Sequence, residues 1–181
     1  MKGLVFTEFM SMVEEKFGID MMDDLIDESG PSSGGAYTAV GTYNHQELVD
    51  MVTILSDKVD VPIPALINAF GHYLGAVFTK KFPEFFAEVD NTLDFLKKID
   101  NHIHIEVRKL YPDAELPVFE FDDSDADEFK LVYKSERGFA DLAQGLIEAS
   151  ALFYNEKFNI ARHDQNEGNL HITEFLLSKA N

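Results

Sequence analysis

Over about the first 110 positions, apolar residues recur at helical spacing; beyond them the pattern turns strand-like. Val5, Phe9, Met12, Val13 and Phe17 lie on one face of a helix predicted over residues 3–17, and Gly18 stands at its C-terminus. A short acidic helix over about 20–28 follows, then a Gly- and Ser-rich loop from Ser29 to Gly35. No Gly-Lys-Ser/Thr follows that loop, so it reads as a connector and not a phosphate cradle. Asn44 can cap a helix running to about Lys58. Pro62 and Pro64 open the next one, whose stripe runs Ile63, Leu66, Ile67, Phe70, Leu74, Val77 and Phe78, and Phe82-Pro83 closes it. A further helix is predicted over about Thr92 to Leu110, stopped at Tyr111-Pro112.

After Pro112 the period changes. Pro117–Phe121 and Phe129–Tyr133 read as a β-hairpin around the acidic turn Asp122–Asp127, which lacks the spacing of a calcium loop. A last helix is predicted over about Phe139–Tyr154, with strands at Phe158–Arg162 and Asn169–Leu177. Helices first and strands afterwards, with one helix among them, predict an α+β fold. We expect one domain spanning 1–181: a helical part over about 1–111 and a sheet-containing part over about 112–181, with one packed helix.

Composition narrows the function classes. At 45% hydrophobic and 12% aromatic, the chain is expected to fold around a sizeable core. A net charge of −18 argues against nucleic acid and against an anionic membrane surface. The absence of cysteine removes disulfides, Cys-based zinc sites and iron–sulfur clusters. Without a signal-peptide pattern or an apolar run near the ~18 residues of a membrane span, a soluble, cytoplasmic protein is expected. The 16 phenylalanines suit a core, or the lining of a large apolar cavity.

Two runs carry candidate chemistry. His102 and His104 sit two positions apart in the helix predicted before Tyr111-Pro112. On a helix they point about 200° apart and cannot chelate one metal together. His102 has Lys98, Glu106 and Lys109 around it, whereas His104 is followed by Val107 and Tyr111. A ligand role asks for a neutral imidazole whose second ring nitrogen is engaged, and nothing in the sequence names that partner. The second run is Tyr133-Lys-Ser-Glu-Arg137. If extended, it puts Tyr133, Ser135 and Arg137 on one side, a row of two hydroxyls and a guanidinium suited to a carboxylate or phosphate. The alternative is a solvent-facing strand end leading into a helix. His45, His72, His163 and His171 are scattered.

His104, the Tyr-Pro seven residues on, Pro117 and the Tyr-x-Ser-x-Arg run, in this order, resemble the H-NOX (haem nitric oxide/oxygen-binding) family. The resemblance extends from the Met-Lys-Gly opening through Phe78 and Phe82-Pro83 to Gly145–Glu148 and the closing strands. It implies haem b (protoporphyrin IX iron) with His104 as proximal iron ligand. Tyr133, Ser135 and Arg137 would bind the haem propionates, and Pro117 would press on the porphyrin and distort it. Val5, Phe9, Leu74, Phe78, Leu142 and Leu146 would line the distal pocket. Oxygen-binding members carry a distal tyrosine five residues after the motif arginine, supported by a polar residue on the helix before Phe-Pro. Here these positions hold Leu142 and Leu74.

The resemblance therefore implies a stand-alone bacterial sensor, related to the haem domain of soluble guanylate cyclase. It would bind NO and CO but not stably O₂, and would be without catalysis of its own. NO would weaken the bond from iron to His104, and the resulting shift would act on a separate histidine kinase or diguanylate cyclase. Two other readings stand beside it: a haem-dependent enzyme, for which no acid, base or nucleophile converges on the pocket, and an interaction module without cofactor.

Overall fold

The computed structural model describes residues 1–125 and 127–180. Helix α1 (Gly3–Phe17) buries Phe9, Met12 and Val13 of the apolar face its periodicity predicts, together with Phe6, while Val5 is partly buried and Phe17 at the helix end is exposed. It stops where Gly18 adopts a φ of 91°, a conformation that costs glycine little. Helices α2 (Ile19–Ser29) and α3 (His45–Val59) follow, the second capped by the Asn44 side chain accepting from Gln46 N. The Ser29–Gly35 connector is pinned: Ser32, Ser33 and Tyr37 all donate to the buried Glu47 carboxylate.

Helix α4 (Ile63–Lys81) has Pro64 in its first turn, and Pro83 opens a short α5 (Pro83–Ala87) that the sequence pattern did not indicate. A proline that ends one helix is also suited to start the next, because the first turn needs no N–H there. The single helix expected over Thr92–Leu110 is instead three pieces: α6 (Thr92–Lys97), a π-helical turn (Ile99–Ile103) and α7 (His104–Leu110).

Strands β1 (Val118–Asp122), β2 (Phe129–Ser135), β3 (Phe158–Glu167) and β4 (Leu170–Lys179) form one antiparallel sheet in the order β1-β2-β4-β3. The closing hairpin is longer than its predicted strands. In the acidic turn between β1 and β2, Ala126 lies outside the described residues. Phe129, Leu131 and Tyr133 alternate inward along β2 and bury against Phe175 and Leu177 of β4.

Helix α8 (Ala140–Phe153) joins the two halves. Its Leu142 and Leu146 pack on the helical core around Phe6, Phe70 and Leu74, while Ala143 and Ile147 belong to the sheet core around Leu131 and Phe175. It crosses α4 closely: a Cβ on Gly145 would lie 2.2 Å from Asn68 O. Among the described residues, no single helix is long and apolar enough to cross a membrane.

Candidate functional site

Between the two cores lies a cavity of ≈ 660 Å³, lined by members of both. Helices α1, α4 and α8 contribute Val5, Leu74, Phe78, Leu142 and Leu146 to its wall. Among these five side chains there is no hydrogen-bonding group. Phe9, expected in that wall, does not reach it. It is 1% exposed and packs edge-on against Phe70, at 5.4 Å between ring centroids. Phe9 follows Val5 by one turn on the same face of α1, but Val5 reaches the cavity while Phe9 is taken up in the helical core against Phe70.

The segment before Tyr111 supplies His104. Asn91 caps α6 by accepting from Asp94 N. The chain then widens: Lys98 O accepts from both His102 N and Ile103 N, and Ile99 O accepts from His104 N. The extra residue in this π turn shifts the register of everything after it, which apolar periodicity does not reveal. His102 ends up on the outside, 40% exposed, with Nε2 3.2 Å from the Glu88 carboxylate. His104 is 12% exposed and lines the cavity beside Ile99 and Ile103, with the Phe119 ring 5.9 Å away.

His104 Nδ1 lies 3.3 Å from Asp100 Oδ1, one turn earlier. The sequence alone does not name this partner. A carboxylate four residues before a helical histidine was the available signal. Burial pushes the His104 imidazole below its ordinary 6.5; Asp100 pulls it back up, and Arg108 adds a smaller push downward. The net direction keeps the ring neutral near pH 7, the form that can ligate a metal. Among the described residues, Nε2 has no hydrogen-bond partner.

The Tyr-x-Ser-x-Arg run is partly strand. Tyr133 and Ser135 are on β2, but β2 ends at Ser135, so Arg137 is not in an extended row with them as the alternation predicted. A turn follows in which Ser135 Oγ accepts from Arg137 N at 3.2 Å. All three side chains nevertheless line the cavity. Tyr133 is 2% exposed, and its hydroxyl accepts from Phe139 N at 3.1 Å, linking β2 to the start of α8. The Arg137 guanidinium donates to Glu115 O at 3.2 Å and also grips the Glu115 carboxylate. Pro117 lines the cavity as well, at the entry to β1.

The donor set fits a haem. Among the described residues, no group of three or more His, Cys, Asp or Glu side chains is placed to hold a bare metal ion. A metal at His104 must therefore bring most of its own donors, as a macrocycle does. The apolar walls suit the ring, and a guanidinium fork with neighbouring hydroxyls suits its carboxylates.

A family model described as Haem-NO-binding matches residues 2–162. The crystal structure of the Fe(II) unliganded H-NOX protein from K. algicida is 34% identical, with a TM-score of 0.92, covering 100% of this chain and 98% of that one. The H-NOX from Shewanella woodyi, solved in the Fe(II)CO state with IWP-051 bound, is 39% identical, with a TM-score of 0.83, covering 99% of this chain and 95% of that one. The S. oneidensis H-NOX in the Fe(II)NO state shares the fold at 24% identity and a TM-score of 0.87, covering 99% of this chain and 100% of that one. No curated protein matches the chain. With a helical N-terminal part, a four-stranded antiparallel sheet carrying one packed helix, and a family match across nearly its whole length, this chain belongs to the haem-NO-binding, or H-NOX, family.

Proposed function

We propose that residues 1–181 work as one cytoplasmic haem-based gas sensor that binds NO and CO, forms no stable O₂ complex, and does no catalysis of its own. The observation that carries this reading is a cavity that combines one largely enclosed imidazole with five aliphatic and aromatic wall residues free of hydrogen-bond donors. When bound, the haem supplies a ferrous iron that takes a diatomic gas.

His104 would hold the iron through Nε2, and its neutral, partly buried ring is suited to that. Arg137, Ser135 and Tyr133 hold the propionates from the sheet side, and the Arg137 fork already takes a carboxylate in the structure. Pro117 bears on the porphyrin. Val5, Leu74, Phe78, Leu142 and Leu146 form the distal wall. Bound O₂ gathers negative charge and needs a donor, which Leu74 and Leu142 do not provide. NO has no such requirement. Phe9 supports this wall from behind.

The signal leaves through His104. His104 would tie α7 and the π turn to the bound group, so a weaker hold there would free this segment to shift relative to the sheet. This is a two-state element biased by a ligand. A separate signalling protein, a histidine kinase or a diguanylate cyclase, reads the shift. The test is an absorption spectrum of the reduced protein in air, then with CO and with NO. We expect spectral changes with CO and NO and none characteristic of a stable oxy complex; a persistent oxy spectrum would overturn the selectivity.

A further inference from the structure

His104 has one side-chain hydrogen-bond partner among the described residues, the Asp100 carboxylate at 3.3 Å. Asp100 sits in the π turn, and its Oδ1 also lies 3.5 Å from Phe119 N on β1, two residues beyond Pro117. The same oxygen thus faces the ring of the candidate ligand and the backbone of the sheet edge. Phe119 adds its own ring against His104. Imidazole orientation is set by one hydrogen bond and one aromatic wall, both reaching β1.

We infer that Asp100 is the positioning residue for His104: its carboxylate accepts the Nδ1–H, leaves the Nε2 lone pair for the iron, and sets how firmly His104 holds. This rests on the haem reading above. An ionised carboxylate can only accept, so the shared proton is on Nδ1 and the metal-binding lone pair is on Nε2. A charged acceptor draws that proton more strongly than a neutral one and makes the imidazole a stronger donor at its other nitrogen. The bond that must loosen for a signal is therefore strengthened from behind by Asp100. A weaker acceptor there lowers the threshold at which His104 lets go.

The test separates this hydrogen bond from a merely structural role. In His104→Gly, added imidazole can take the place of the side chain; 1-methylimidazole can ligate too but has no N–H to donate. Both are titrated into haem-loaded His104→Gly carrying Asp100, Asp100→Asn or Asp100→Leu. We expect the imidazole dissociation constant to rise roughly 10-fold or more with Leu and by less with Asn, while that of 1-methylimidazole stays unchanged. Parallel weakening of both ligands, or no response of either, overturns the inference. With His104 intact, Asp100→Asn should move the iron–histidine stretching band of the reduced protein to lower frequency, and an unmoved band also overturns it. If the wild-type protein shows no Soret band, the haem reading itself fails. If haem binds and only the Asp100 dependence is missing, the haem reading stands and this inference falls.

Discussion

His102 and His104 share a sequence neighbourhood and differ in surroundings, which decides their chemistry. One is paired to Glu88 at the surface; the other is enclosed, neutral and engaged at one nitrogen. The sequence hinted at this difference through the flanking residues, but the Asp100 contact needed the coordinates. Glu47 is a second case. Its hydrogen-bond donors Ser32, Ser33 and Tyr37 lie 10 to 15 residues away in a loop that read as a plain connector. Burial alone would raise the Glu47 carboxyl above its ordinary 4.5, but the three hydroxyl bonds together outweigh burial and hold it lower. A carboxyl depressed in the folded state stabilises above its unfolded value and loses that contribution as pH falls through the folded one. Glu47→Gln should therefore cost about 1–3 kcal/mol at pH 7, and the cost should shrink as pH drops below 4.5. Urea unfolding of both proteins across that range checks this; a pH-independent difference would rule out the carboxylate as its source.

Among the elements, α1, α3, α4 and α8 were legible because each carries an apolar stripe, a cap or a proline at its start. The segment over 92–110 was legible as helical but not as broken, since a π turn leaves no mark in the apolar spacing. Nor did spacing disclose that α4 and α8 touch backbone to backbone. A Cβ at Gly145 would sit 2.9 Å from Gly71 Cα as well as against Asn68 O. Gly145→Ala must push the helices apart, which should cost about 1–3 kcal/mol. At roughly 2–4 °C per kcal/mol for a chain of this size, a thermal melt resolves that loss; an unchanged Tm would show that the crossing yields freely. The same displacement moves Leu142 and Leu146 away from Leu74 and Phe78, so it also widens the cavity wall.

At the scale of the molecule, the two ends of the proposed signal path are tied together. The Lys2 ammonium donates to Val40 O, Thr42 Oγ1 and Asp113, and stands 5.3 Å from the Tyr111 ring centroid. The residues just after α7 are thus held to the start of α1, the helix that carries Val5. If His104 is the tether, haem-loaded His104→Gly should show faster amide exchange over residues 99–110 without NO, matching NO-bound wild type. Exchange identical to unliganded wild type would refute the tether. The chain's own order of periods determined the α+β class, because helix and strand burial impose repeats of 3.6 and 2 that any single sequence displays. The ordered set of His104, Tyr111-Pro112, Pro117 and Tyr-x-Ser-x-Arg also stands in the sequence, and its resemblance to H-NOX proteins, not any periodicity, pointed to the family. What only the tertiary structure decided was which of those residues meet. Arg137 reaches the cavity from a turn and not from a strand, Phe9 packs on Phe70 and not in the cavity wall, and Asp100 stands behind His104. These outcomes depend on a widened turn and on the packing of α8 between two cores, and neither is encoded in the spacing of any one segment.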